Sequence, residues 1–182
     1  ALVNEALKAV NSTVTYHKLP FYTSSLVIND NVSSINSLVA SMKRGRIESL
    51  LMIGGNPVYN APSDLGFEAA LSNVETKIHL TEMKNDTSEL CEWVVPKSHF
   101  LESWGDQTSL DGTSSLVQPL IQPMGESYSS SELISLLSGG SKNGYVLVRK
   151  TWRKNKATFN KEWDSWLHNG VISKKSTVVN VS

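Results

Sequence analysis

The chain has 182 residues, 40% of them apolar and 19% charged, with 17 basic against 17 acidic side chains. That length suits one domain, or one domain with an appendage, and the apolar share suits a packed core rather than a disordered tail. The balanced charge supplies no global field for nucleic acid or an anionic membrane, and no apolar run approaches the roughly 20 residues that cross a bilayer.

Residues 1–10 carry Leu2, Ala6, Leu7 and Val10 at helical spacing, while Glu5 and Lys8 interrupt what would be the apolar core of a signal peptide. The chain does not open on Met, and its helix-like start is read as belonging to a piece of a longer protein. A short β-prone stretch at 13–16 is followed by a loop-like region over 20–31, with a brief extended stretch at 26–28. A helix is then predicted with Ser33 or Ser34 as its cap. Ile35, Leu38, Val39 and Met42 share one face, Lys43 and Arg44 suit the C-terminus, and Gly45 stops it.

The run 49–53 is short and continuously apolar, as a strand buried on both faces requires. It breaks at the turn Gly54-Gly55-Asn56-Pro57. Pro62-Ser63-Asp64 opens a second helix with Phe67, Ala70 and Leu71 inward, and 76–81 reads as a strand with Ile78 and Leu80 on one face. Asp86 or Thr87 caps a short helix through Cys91, and 93–95 is a further strand ended by Pro96. This alternation predicts an α/β fold: a parallel-sheet, Rossmann-like three-layer domain.

From 96 to 124 glycine, serine and aspartate dominate, and the segment is expected to be irregular apart from a brief strand at 115–117. Ser129 and Glu132 have capping-box spacing ahead of Leu133, Ile134, Leu136 and Leu137, and Gly139-Gly140 ends that helix. Two more helices are predicted over 144–154 and 158–169, the second closed by Gly170. The organisation expected is an α/β domain over 1–124 and a helical C-terminal segment over 125–182 leading toward another domain.

Chemistry is sparse. Cys91 is the one cysteine, so the chain contains no internal disulfide and no multi-cysteine zinc or iron–sulfur site. His17, His79, His99 and His168 are scattered without metal-ligand spacing, and no G-x-S-x-G elbow is present. Glu102, Asp106 and Asp111 fall together in the irregular segment, where paired carboxylates could do acid–base work, bind a cation or simply form a polar loop. Lys43, Arg44 and Arg46 form one basic cluster; Arg149, Lys150, Arg153, Lys154 and Lys156 form another, interleaved with Tyr145, Trp152 and Phe159. Trp152, Trp163 and Trp166 are expected to pack inward. The glycine turn stands where α/β sheets place ligands, at the C-terminal end of a strand, and its glycines allow close backbone approach. It is neither a dinucleotide fingerprint nor a P-loop.

The stretches LLMIGGNPVYNAPSDLGFEAAL and TEMKNDTSELCEWVVPKSHFLESWGDQTSLDGTSSLVQPLIQP resemble the molybdopterin oxidoreductase, or dimethyl-sulfoxide-reductase, family. Members show a G-x-N-P turn after a strand, a helix start near Asp86-Thr87-Ser88-Glu89, and a strand ending in Pro like Val94-Val95-Pro96. GGNPVYNAPSDLGF, ESWGD and DGTSSLVQPLI are most similar to the branch formed by the large iron–sulfur subunit of alternative complex III, which oxidises quinol. The tail from YVLVRKTWRK to FNKEWDSWLHNGVI resembles the same branch.

The resemblance implies that Gly55, Asn56 and Pro57, with Asp86 and Thr87 as a second contact, stand where molybdenum members hold the guanine-dinucleotide arm of the pterin. Where those members carry a T-N-x-E-G-R-like run, this chain reads Thr108-Ser109-Leu110-Asp111-Gly112-Thr113 and lacks the arginine. That departure fits the alternative complex III branch, which is thought to lack molybdenum. The family's iron–sulfur cysteines lie in other domains. The expectation is therefore an internal piece of a bacterial respiratory subunit at the periplasmic face of the inner membrane. It would take part in quinol-linked electron transfer as scaffold, with no catalytic residue, metal or cofactor of its own and no membrane insertion. Its partners would be other domains of the same protein and other subunits. The rivals are a cofactor-binding reductase or dehydrogenase, and a non-catalytic assembly module.

Overall fold

The computed structural model describes residues 2–10, 12–17, 31–109, 112–153, 157–174 and 178–179. In chain order the elements are α1 (Leu2–Ala6), β1 (Tyr16–His17), α2 (Asn31–Lys43), β2 (Ser49–Ile53), α3 (Pro57–Asn60), a 3-10 turn (Ser63–Leu65), α4 (Phe67–Leu71), β3 (Thr76–Thr81), α5 (Asp86–Glu89) and β4 (Trp93–Pro96). They continue with β5 (Gly105–Thr108), β6 (Thr113–Val117), α6 (Ser130–Leu137), α7 (Gly144–Trp152), α8 (Phe159–Asn169), β7 (Val171–Lys174) and β8 (Val178–Val179). The chain divides into two compact units. One comprises Ala1–Val27, Gly105–Gln118 and Lys150–Ser182; the other comprises Ile28–Trp104 and Pro119–Arg149.

The second unit is the expected α/β body. β2, β3 and β4 form a parallel sheet in that order, with Met52, His79 and Val94 in one row and Ile53, Leu80 and Val95 in the next. The links between strands are too long for hairpins and contain helical turns, which is what parallel pairing requires. The core lies against the face carrying Met52. Val39 and Met42 of α2 pack there with Phe67, Ala70 and Leu71 of α4 and with Val74. The stripe read from sequence is therefore the buried one, as period 3.6 dictates. On the opposite face Leu80 is fully buried, while Ile53 is 43% and Trp93 64% exposed.

Local chemistry sets the ends. Gly45 adopts φ 64° and closes α2, its N–H donating to the Met42 carbonyl while Arg46 N–H donates to Ser41. α2 begins at Asn31, ahead of the expected caps, and the side chain of Ser33 lies outside the described residues. The second helix is broken: Gly66 at φ 63° separates the turn at Ser63–Leu65 from α4. α5 is capped by Asn85, not by Asp86 or Thr87. The Asn85 side chain accepts from Ser88 N–H and the Ser88 hydroxyl accepts from Asn85 N–H, which moves the cap one residue upstream. Ser129 and Glu132 form the expected box at α6.

The first unit departs further from expectation. The segment read as irregular contains a hairpin, β5 against β6, and β7 pairs antiparallel on the other side of β6. Val171–Lys174 thus forms a strand, beyond the last predicted helix, in a C-terminal segment expected to be helical. Residues such as Gly105-Asp106-Gln107-Thr108 have no apolar alternation, so the pattern hides the strand. Of the strand expected at 13–16, Tyr16 pairs, together with His17, against Val178–Val179, and Val14 makes an isolated bridge to Val10. The extended stretch at 26–28 lies outside the described residues. α7 ends at Trp152, and α8 ends at Asn169 with Gly170, at φ 70°, as its C-cap. Trp163 is buried, and Trp152 and Trp166 meet edge to face at 6.2 Å, half-buried. Trp152 Nε1 donates to the Asp106 carboxylate at 3.0 Å, and Gln118 Nε2 donates to the Leu167 carbonyl at 2.9 Å.

Candidate functional site

The best-developed candidate is the turn after β2. Gly54 and Gly55 both have left-handed φ, 68° and 71°, which lets the chain leave β2 at Ile53 and enter α3 at Pro57. Gly54 N–H donates to the Leu80 carbonyl at 2.7 Å, pinning the turn to the end of β3. Asn56 occupies the N-cap position of α3, with Pro57 next, yet its side chain makes no cap bond there.

The Asn56 side chain reaches across 31 positions to α5 instead. Its Oδ1 accepts from the Thr87 hydroxyl at 2.7 Å and from Thr87 N–H at 3.1 Å, and its Nδ2 donates to Asp86 Oδ2 at 2.7 Å. The Thr87 hydroxyl in turn accepts from Val58 N–H at 3.1 Å, and Asn85 Nδ2 donates to the Gly55 carbonyl at 3.3 Å. Thr87 is fully buried. The positions that the resemblance singles out are therefore brought together, and their polar atoms are largely engaged with one another. Beside them lies an open cleft of about 600 Å³, walled by Ile35, Met52, Ile53, Pro57, Ala61 and Pro62, with no Lys, Arg or His in its lining among the described residues.

His79 was missed as a feature of this end. It is fully buried on β3; Nδ1 lies 3.0 Å from the Ser88 hydroxyl, and Nε2 has no partner among the described residues. Its alternation with Ile78 and Leu80 did place it on the other strand face. The other histidines do not join it: His17 bonds the Thr15 hydroxyl, His99 Nδ1 accepts from Leu101 N–H beside the Phe100 ring, and His168 is exposed on α8. No group of three His, Cys, Asp or Glu among the described residues could hold a metal ion. Burial pushes the Cys91 thiol up from its ordinary value, reinforced by the Glu92 charge and opposed by Lys77, and its Sγ donates to the Thr87 carbonyl at 3.1 Å. Lys77 and Glu92 pair at 2.7 Å; the Lys77 ammonium and its backbone N–H hold the Glu92 carboxyl below the usual carboxylate range.

The acidic residues of the supposed irregular segment are engaged separately. Glu102 accepts from His99 N–H at 3.1 Å and Met124 N–H at 3.3 Å, Asp106 accepts from Trp152, and Asp111 lies outside the described residues. Of the basic clusters, Lys43 donates to the Leu65 carbonyl at 2.8 Å, Arg149 lies 5.9 Å from the Tyr145 ring centre, and Lys154 and Lys156 are outside the described residues. No helix among the described residues is long and apolar enough to cross a membrane.

No family model matches the chain. Over 88 residues it is 31% identical to the menaquinone reductase, molybdopterin-binding-like subunit of Nitratidesulfovibrio vulgaris, a match that covers 48% of this chain and 13% of that subunit. Among solved structures it is similar to acetylene hydratase from Pelobacter acetylenicus, with a TM-score of 0.51 at 19% identity over 60% of this chain and 15% of that one. The second likeness concerns the fold. The chain spans a small share of the length of both proteins.

Proposed function

We propose that the chain is a structural part of a molybdopterin-oxidoreductase-like subunit of a bacterial respiratory complex, closest to that of alternative complex III. It would act in quinol-linked electron transfer at the periplasmic face of the inner membrane. Its role is scaffold and docking surface; redox centres belong to other domains, and its partners are those domains and neighbouring subunits. The 88-residue likeness to a subunit of a menaquinone reductase, described as molybdopterin-binding-like, supports this reading.

The observation that carries the scaffold role is the engagement of Asn56 with Thr87 and Asp86. A guanine-dinucleotide arm carries phosphates, which call for cations or unmet N–H donors. Among the described residues the cleft lining has neither Lys nor Arg, α5 has only 4 residues with its N-terminus boxed by Asn85 and Ser88, and the Asp86 carboxylate adds negative charge. These residues do not fit that arm, and in this reading they tie the β2 exit to α5.

A second reading keeps Gly55, Asn56, Pro57, Asp86 and Thr87 as contacts for the cofactor arm. The place of the cleft, at the C-terminal end of a parallel strand, favours it. Metal analysis of the intact protein, purified from membranes, separates the two. Iron without molybdenum or tungsten is expected; stoichiometric molybdenum or tungsten would overturn the scaffold reading in favour of the second.

A further inference from the structure

A second cavity in the α/β unit, about 570 Å³, opens between the loop after β4 and the loops flanking α6. Its walls include Trp104, Pro119, Ile121, Pro123, Tyr128 and Tyr145. Trp104 and Tyr145 meet edge to face at 5.0 Å, and the Arg149 guanidinium lies 5.9 Å from the Tyr145 ring centre, so this ring already serves as a platform for a cation. Gly144 permits the closeness: a Cβ there would stand 2.9 Å from Glu132 Oε1 and 3.3 Å from Trp104 Cβ.

Three carboxylates line the same cavity, Glu102, Glu126 and Glu132, against one cation, Lys142. None of the three has a cationic partner among the described residues. Two are held in fixed orientation. Glu132 accepts from Ser129 N–H and hydroxyl and from Gly144 N–H at 2.8 Å, while Glu102 accepts from His99 and Met124 N–H. In a chain of zero net charge this is a local excess of negative charge. The two loops are tied by Leu120 and Ile121 N–H donating to the Leu101 carbonyl, and they expose Phe100, Leu120, Ile121 and Met124 at 62%, 76%, 48% and 90%. Large apolar side chains gathered this way beside a polar groove mark interaction surfaces.

We infer that this aromatic, acidic groove docks a basic segment of a partner protein, an extended stretch whose arginine or lysine enters between the carboxylates and the Trp104 and Tyr145 rings while apolar neighbours cover Phe100 and Leu120. Charge complementarity selects the occupant: a guanidinium can stack on an aromatic face and pair with carboxylates at once. The proposal does not depend on which reading of the glycine turn holds.

The test titrates the full chain with a blocked arginine–proline alternating peptide and with its glutamate–proline counterpart, following backbone and indole resonances. The expected result is saturable shifts confined to Trp104, Tyr128, Tyr145 and the loop at 119–126, seen with the basic peptide alone. Added salt should weaken binding, and Glu126→Lys, a change at an exposed position, should weaken it several-fold. Absence of shifts in the groove, equal response to the acidic peptide, or binding indifferent to Glu126→Lys would overturn it.

Discussion

The turn after β2 and the groove beside α6 both lie in the α/β unit, and both gather polar side chains around a cavity of similar size. At the turn, Asn56, Thr87 and Asp86 satisfy each other, and the cleft beside them is walled by apolar side chains. At the groove, backbone N–H groups hold Glu102 and Glu132 in place, and neither carboxylate has an ion-pair partner among the described residues. A polar cluster that closes on itself stabilises the fold, because a buried donor with no acceptor is costly. A carboxylate fixed by neutral donors keeps its charge available to a partner. Residue type alone does not tell the two apart; the hydrogen-bond partners do.

Substitutions sharpen that contrast. Asn56→Ala should have the largest effect, since it strands the N–H and hydroxyl of the buried Thr87. A loss of roughly 2–4 kcal/mol is expected in urea unfolding, from donors left unmet at about 1–3 kcal/mol each. A loss below about 1 kcal/mol would mean that the turn is not tied to α5. Gly54→Ala and Gly55→Ala should each cost about 1–2 kcal/mol from the left-handed backbone alone, because a Cβ at either position meets nothing within 4 Å. Ser129→Ala removes the hydroxyl half of the box, the bonds to Glu132 N–H and to its carboxylate, and should cost about 1 kcal/mol. Glu126→Gln, at an exposed groove position, should stay within about 0.5 kcal/mol of wild type in stability.

The smallest expected effect is a pH dependence. Glu92 has a folded pKa below its unfolded value, so its pairing with Lys77 contributes stability that is fully present above the ordinary carboxylate range. That contribution is lost as pH falls through the lower folded value. The difference in Tm between wild type and Glu92→Gln should shrink as the solution is acidified through that range, and a difference constant with pH would argue against the pair.

Much of the α/β body was legible in the sequence because its signals are local. The apolar run at Ser49–Ile53, the stripe from Ile35 to Met42, Gly45 and the Ser129–Glu132 box each encode an element by spacing or backbone preference. The antiparallel sheet was not legible. β5 and most of β6 are polar, and β7 follows a helix-terminating glycine with too few residues to show a period. The capping residue of α5 shifted by one because Asn85, Asp86 and Thr87 are all cap-competent in type and only the fold selects among them. The turn was legible as a turn and its composition as a candidate site. The partnership of Asn56 with Thr87 was not, because it depends on strand order bringing together residues 31 apart. The groove was hidden for the same reason: Trp104 and Tyr145 meet only through the packing of the first turn of α7 against a loop that carries no periodicity.

The claim that the turn is closed on itself is tested most directly by titrating the full chain with GDP and following the backbone amides of Gly54, Gly55, Asn56 and Asn85–Ser88. The account predicts no saturable shift at these amides, in wild type and in Glu126→Gln alike. Saturable shifts centred on Gly55, Asn56 and Thr87, abolished by Asn56→Asp, would contradict it and would make the cleft a nucleotide-binding site.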